Sequence, residues 1–537
     1  MYESVINFIN SLIYIPDAGM VHPGLSAQWV AGIVTMMLLI GIKLVWLTPT
    51  DSQSKHHPDS HLSNGLSFTY LPLVGNFFAW LTSRPWVLLS FKLISAGLFL
   101  LVIYAGLFGS AVPERNIATV LTWTVWWSAV VISVFFVGSA WCAVCPWDAI
   151  ATWLVRRKLW RRGLESTSLN LRVPTIFRSI WPALIMFVGL TWLELGAGVT
   201  TSPYATALMA LLMVVLATIS LAVYERKAFC RYFCAVGRTL GAYGSMAPVA
   251  LRPVNNQTCA DCKTLECFHG TDDIEPCPTH LVMGRITQNT YCTSCGACTQ
   301  SCPHQNVSWR LRKVGDEVTN ASRPHTDEAW FILGLVALTL FHGFTMMPYW
   351  EGWMKQLAYV LGDSGQILMS FSIGMLISML IPILLYLLAV YLIKLVGRIE
   401  LDYRRIFNAL AFSMLPIAFT YHIAHNLSHL VRESHGFVSV LFNPLGTDTL
   451  PLSMHELHMR HMNPLVNNEI VFALQATLVL FGFWLSLRIA RQRLLGIVNS
   501  NPGSVGFVYS YTPILLLITG VSLANLWLLM QPMIMRM

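Results

Sequence analysis

Long apolar runs separated by short polar turns recur along nearly the whole chain, and one polar segment, 225–327, interrupts them midway. A helix needs about 20 apolar residues to cross a hydrocarbon core about 30 Å thick. Ten stretches are long enough: roughly 28–48, 86–109, 118–140, 176–196, 204–224, 329–349, 366–393, 406–432, 469–490 and 507–534. Lipid offers no partners to backbone amides, so each stretch reads as a helix that satisfies its own hydrogen bonds. The pattern predicts an all-α polytopic membrane protein of about ten transmembrane helices in four regions. These are an interfacial segment, first helix and loop over 1–85; two hairpins over 86–240; an extramembrane module over 241–327; and a five-helix membrane domain over 328–537. Residues Met1 to Asn7 lack a basic n-region, which predicts an interfacial segment rather than a cleaved signal peptide.

Composition agrees: 55% of residues are hydrophobic, 11% are charged and the mean hydropathy is +0.58. That is too apolar for a soluble protein of this length. Cytoplasmic loops retain Lys and Arg, and with the N-terminus outside, the inner loops hold 27 of the 34 such residues. They include Lys55, Arg84, the run from Arg156 to Arg178, eleven between Arg226 and Arg323, Lys394 to Arg405, and Arg488 to Arg493. The bias predicts an N-out, C-out protein of a bacterial-type cytoplasmic membrane, with the polar module in the cytoplasm. The net charge of +8 is then a topology signal rather than an argument for nucleic acid. Every cysteine falls on the reducing side, which disfavours disulfides.

All twelve cysteines lie between Cys142 and Cys302. The run Cys292-x2-Cys295-x2-Cys298-x3-Cys302-Pro303 has the spacing that wraps a 4Fe–4S cluster: three close thiolates grip one cubane and the fourth, held off by a stiff proline, reaches a second. Upstream stand Cys259-x2-Cys262-x4-Cys267 and Cys277-Pro278. Four thiolates at this spacing also suit tetrahedral zinc, against which stand eight cysteines and two Cys-Pro pairs. The remaining cysteines form two pairs, Cys142-x2-Cys145-Pro146 after the third helix and Cys230-x3-Cys234 after the fifth. About 88 residues separate the pairs, so the two hairpins read as an internal duplication. Four thiolates converging from two repeats predict a third 4Fe–4S cluster at the membrane surface. The plainer alternative is buried, unligated cysteine.

The polar segment resembles a two-cluster bacterial ferredoxin inserted between helices five and six. That resemblance implies one 4Fe–4S cluster on Cys259, Cys262, Cys267 and Cys302, and a second on Cys277, Cys292, Cys295 and Cys298. Nine residues, Phe268 to Pro276, separate Cys267 from Cys277 where three are usual. Loop length costs little free energy, so a longer surface loop is expected. Hairpins ending in cysteine pairs and followed by such a module resemble the membrane polyferredoxins of the NosR/NapH type, over about residues 85–312. The resemblance implies a quinol dehydrogenase or electron conduit of a respiratory chain, and a related group acts in copper reduction during oxidase assembly. Two departures stand out: the first pair is C-x2-C-P where C-x3-C-P is usual, and Ala235 follows the second pair where proline is usual. No C-x-x-C-H for covalent haem occurs.

The second half offers histidine. His342 lies in helix six, and His422, His425 and His429 share one face of helix eight. Ionisable groups inside a membrane are functional candidates by default. Counting back from the outer helix ends places His342, His422 and His425 at one depth, about 10–15 Å below the surface at 1.5 Å per residue. That predicts a bis-histidine b-type haem across the two helices, with His429 serving a second haem or a quinone oxygen. Hydrogen bonding within the bundle is the plainer reading. Outside, His455, His458 and His461 alternate with methionines between Met454 and Met462, a donor mixture that suits copper, and a solvated docking segment explains it equally. Glu194, near the outer end of helix four, reads as a proton relay to a quinone or as a satisfied polar contact. The sequence therefore predicts an oxidoreductase subunit moving electrons between cytoplasmic clusters and a quinone or haem site near the outer face. Membrane lipid, the quinone pool and a redox protein are its expected partners. The alternative is a copper-reducing or metal-handling assembly factor. No Gly-rich phosphate loop, Ser-His-Asp arrangement or paired acids point to hydrolysis or group transfer.

Overall fold

The computed structural model describes residues 2–13, 21–22, 24–44, 77, 80, 84–156, 167–363, 368–397, 402–462, 465–498 and 505–534. Ten apolar helices run through it: α1 (Ala27–Ile42), α2 (Pro85–Phe108), α3 (Ile117–Val137), α4 (Trp181–Gly196), α5 (Pro203–Val223), α6 (Thr326–Thr345), α7 (Leu368–Val396), α8 (Leu415–Glu433), α9 (Asn468–Leu495) and α10 (Val505–Met530). Eight are long and apolar enough to cross a membrane, whereas α1 and α4 have 16 residues each. The chain is thus an α-helical, multi-pass membrane protein. Of the charges counted for sidedness, Lys55, Arg157, Lys158, Arg161, Arg162, Arg398 and Arg536 lie outside the described residues.

Where helix boundaries depart from the hydropathy pattern, the cause is local. α4 starts late, at Trp181, because Pro174 and the 3-10 turn Thr175–Phe177 hold the preceding chain out of the helix. α6 stops at Thr345 because Pro348 opens a separate helix, Pro348–Leu361, which a search for spans misses. That helix is amphipathic: it buries Trp350, Met354 and Ala358 at four-residue spacing and exposes Glu351 and Lys355. α10 ends at Met530, and residues expected to extend it form strand β4 (Met533–Ile534), paired antiparallel with β1 (Val21–His22). Gly24 permits this closure, since a Cβ there would lie 2.2 Å from the Met530 carbonyl oxygen. The pairing brings the residues just before α1 beside those just after α10.

The hairpins α2–α3 and α4–α5 form one half, in which α5 packs on α2, and helices α6 to α10 form the other, with α1 laid along α9. Contacts of α3 with α8, and of α4 with α6 and α7, join the halves. At the centre stands α8, buried without a break from Leu415 to Asn426 although it carries Thr420, Tyr421, His422, His425 and Asn426. Several of these groups hydrogen-bond within the bundle, Thr420 to the Pro416 carbonyl and Asn426 to the His422 carbonyl among them.

Outside the helices, β2 (Val249–Pro253) and β3 (Val307–Leu311) pair antiparallel and close the cysteine-bearing segment at its base. Its small core is Leu251, Met283, Ile286 and Val307. Three groups fix it to the helix ends. Ser139 Oγ donates to the Cys292 carbonyl at 2.6 Å, and Arg238 Nη1 donates to the Thr290 carbonyl at 2.7 Å. Gly241 lets that same carbonyl approach, because a Cβ there would sit 2.1 Å from it. Behind them, buried Glu317 binds Arg252 Nη2 at 2.8 Å, accepts the Asn289 amide at 2.6 Å and pairs with Arg312.

Glu317→Ala strips two guanidiniums of their carboxylate and should destabilise this segment by about 3–5 kcal/mol, read as protease nicking within 249–325 while the membrane helices stay intact. Gly241→Ala drives a methyl group into the backbone and should cost about 1–3 kcal/mol, measured as a lower midpoint in thermal unfolding in detergent.

Candidate metal centres

Both membrane cysteine pairs are built the same way. A tight turn carries the first cysteine: the 3-10 turn Ala140–Ala143 for Cys142 and the π turn Phe229–Phe233 for Cys230. The second cysteine immediately precedes a short helix, Pro146–Arg156 after Cys145 and Ala235–Gly244 after Cys234. The Gly237 amide donates to Cys234 Sγ at 3.3 Å, and the Asp148 amide donates to Cys145. A helix N-terminus with free amides stabilises a thiolate. The first helical position needs no amide donor, so Pro146 and Ala235 serve it alike, and the missing second proline leaves the arrangement intact.

These four thiols are electrostatic neighbours: Cys142 feels Cys234, Cys145 feels Cys230 and Cys234, and Cys230 feels Cys234 and Cys142. Cations face them. Arg238, fully buried, lies in the field of Cys142, Cys234 and Cys230. Lys227 Nζ meets Asp148 at 2.6 Å, beside Cys230.

The other eight fall into two further groups. Cys259, Cys262, Cys267 and Cys302 line one small cavity of about 20 Å³. Asn306 ties its edges, donating through its backbone amide to Cys302 Sγ at 3.4 Å and through Nδ2 to Cys259 Sγ at 3.3 Å. Cys277, Cys292, Cys295 and Cys298 are likewise mutual neighbours, with amides of Leu281 and Ser294 donating to Cys277 and Cys292 at 3.3 and 3.4 Å. Cys142 also feels Cys292, and Cys298 feels Cys267, so this group lies between the membrane four and the Cys259 four.

The nine residues between Cys267 and Cys277 form a surface loop, none of them buried, whose far side meets the helix ends. Only their tip, Asp272 and Asp273 with His269, is exposed. Glu275 pairs with Arg156 at 3.0 Å, and Ile274, Glu275 and Pro276 wall a cavity of about 100 Å³ that Cys142, Cys230 and Cys295 also line.

Among the described residues, no three His, Cys, Asp or Glu side chains lie close enough to share a single metal ion. Burial pushes the Cys292 thiol up to about 11 and Cys142 up to about 12. Thiols so placed give up their protons to a metal, because a bound cation stabilises the thiolate outright. Soft sulfur donors, amide hydrogen bonds to sulfur and buried cations together fit a thiolate-held group.

The histidines meet in a different way. His342 lies edge-on to His425, ring centres 5.1 Å apart, and His425 Nε2 meets His429 Nε2 at 3.2 Å. His429 Nδ1 meets Glu433 at 2.7 Å. His422 Nδ1 bonds the Tyr243 hydroxyl at 3.2 Å, a partner from the helix that follows Cys234. The space that His342, His422 and His425 enclose with Glu194, Thr191 and Trp127 is about 30 Å³. That holds about one water, whereas an organic cofactor needs several hundred Å³, of order 300 or more. A haem between His342 and His425 does not fit this arrangement.

A larger cavity of about 450 Å³ opens between the two hairpins. It shares the wall of Trp127, Phe187, Thr191 and Glu194 with the histidine cavity and reaches Val144, Pro146 and Ala235 at the membrane cysteines. Three of its lining residues carry a buried polar atom, Trp126 Nε1, Trp141 Nε1 and Thr239 Oγ1, with no hydrogen-bond partner among the described residues. Sequence reasoning missed all three; the signal was the crowding of Trp123, Trp126, Trp127, Trp141 and Trp147 around the first cysteine pair. On the opposite face, His455 is exposed on the helix Met454–Met462, whose Glu456 binds Arg115 at 2.9 Å. The side chains of His458 and His461 lie outside the described residues.

No family model matches the chain, and no solved structure matches it. It is 30% identical over 82 residues to a protein of Escherichia coli (strain K12) described as "Putative electron transport protein YccM". The match covers 15% of this chain and 20% of that relative.

Proposed function

We propose that this protein is a membrane electron carrier. Three 4Fe–4S clusters on its three cysteine groups link a quinone, held in the cavity between the hairpins, to a redox partner at the cysteine face. The observation that carries this reading is the division of twelve cysteines into three neighbouring fours, arranged in series from the membrane outward. Similarity to the Escherichia coli protein, described as an electron transport protein, supports the same class. When bound, such clusters supply one-electron steps.

The chain's own residues supply the rest. Arg238 and Lys227 offset the negative charge of sulfur ligands in a region shielded from water. The 268–276 segment covers the space between the membrane four and the middle four. In the hairpin cavity, apolar helix surfaces suit an isoprenoid tail, and the indole N–H groups of Trp126 and Trp141 with the Thr239 hydroxyl offer donors for quinone carbonyl oxygens.

Protein purified without oxygen should contain roughly twelve iron and twelve sulfide per chain. Cys234→Ser should remove about a third of the iron and one set of EPR signals, leaving those of the extramembrane groups. Colourless, EPR-silent protein loaded with zinc would overturn the reading. Trp141→Phe deletes one donor and should raise KM for quinol roughly tenfold without altering the EPR spectrum of the dithionite-reduced protein.

A further inference from the structure

A quinol that releases two electrons also releases two protons, and a quinone that takes up two electrons takes up two protons. A cavity walled by apolar helices therefore needs a proton route to water. The proposed quinone cavity shares Glu194, Thr191 and Trp127 with the water-sized cavity at His342 and His425. From there α8 presents an unbroken sequence of proton-carrying atoms: His425 Nε2 to His429 Nε2 at 3.2 Å, and His429 Nδ1 to Glu433 Oε1 at 2.7 Å. Glu433, with its side chain 11% exposed, ends the helix. The next segment packs Phe437 and Val440 on Ile117 and Val120, at the end of α3 remote from Cys142.

We infer that Glu194, His425, His429 and Glu433 form a proton-conducting column joining the quinone cavity to the face opposite the cysteines. It rests on the quinone reading above and extends it. The Glu433 carboxylate accepts from His429 Nδ1–H, which leaves the His429 Nε2 lone pair to accept a proton from His425 Nε2–H. One N–H bond breaks at His425 as one forms at His429, and the proton on Nδ1 passes to Glu433. The ring ends neutral in its other tautomer and turns over to reset. Water in the cavity of about 30 Å³ delivers a proton from the side of Glu194 to His425 Nδ1 as Nε2–H is given up, so the His425 ring also ends neutral in its other tautomer. The same steps in reverse carry protons inward. Met346 Sδ, 3.1 Å from His429 Nε2, and the Tyr421 ring beside His425 wall the column, and His342 flanks its entrance. Electrons and protons thus leave the cavity at opposite ends.

The test uses the full chain in liposomes, oriented so that ferricyanide, a one-electron acceptor, meets the cysteine face, with a pH-sensitive dye at the other. Addition of a short-chain quinol to the unaltered protein should acidify the dye side. In His429→Ala and Glu433→Gln, turnover should fall roughly tenfold or more and the solvent deuterium effect should rise. Added imidazole should restore His429→Ala, while EPR spectra after dithionite stay unchanged. Unaltered rates with protons on the same side in both variants would overturn the column. So would lost activity without imidazole rescue or a changed isotope effect, which marks a structural role. An unaltered protein that turns over no quinol defeats the quinone reading, and the column with it, and differs from both of those results.

Discussion

Charge taken out of water must be answered by charge or dipoles close at hand, and this constraint organises the molecule. Sulfur donors are gathered where two repeated hairpins end. Each second cysteine rests on the first amides of a short helix, and Arg238 stands buried among them. Arg238 also grips the Thr290 carbonyl, so the guanidinium buried beside the membrane cysteines positions the backbone two residues before Cys292 too. Loss of that contact would loosen both. Glu317 plays the matching part further out, where one carboxylate holds two guanidiniums and a backbone amide.

Much of the fold was legible because lipid reduces the choice of structure to helices of sufficient length. Apolar runs located ten apolar helices, eight of them long enough to cross a membrane, and what they missed was amphipathic or broken by proline: Pro348–Leu361 and the late start of α4. Cysteine spacing fixed the neighbours within each C-x2-C and C-x3-C motif by local geometry, whereas the nearness of Cys302 to Cys259 and of Cys277 to Cys292 crosses motifs that no local spacing records. The segment 268–276 lies at the surface, but its pairing with Arg156, more than a hundred residues earlier, is something no local pattern records. Histidine spacing gave the shared face of α8 but not its partners. The depth of His342 matched that of His425, yet depth says nothing of the gap between helices. Here that gap is water-sized, set by ring contacts at 5.1 Å.

The proposed quinone site extends across the hairpin half. Its cavity runs from residues at the cysteine pairs, Val144 and Ala235, to Glu194 near the far end of α4. Tryptophan makes this possible, being broad enough to wall a cavity and carrying one N–H that needs a partner. Two such tryptophans and Thr239 line a space otherwise almost wholly apolar, each with a buried, unpartnered polar atom.

The repeat of hairpin, turn and short helix bears on how the molecule matures. Chains emerge from the ribosome N-terminal end first, and Cys145 is made about 90 residues before Cys234. Neither hairpin supplies more than two of the four thiols, so the membrane set exists only after α5 has entered the bilayer and the second turn has closed against the first. The extramembrane groups complete later still, when Cys302 joins Cys259 through Asn306. Loading of the proposed membrane cluster would therefore wait on insertion of the second hairpin, and a stalled or half-inserted chain would carry Cys142 and Cys145 without their partners.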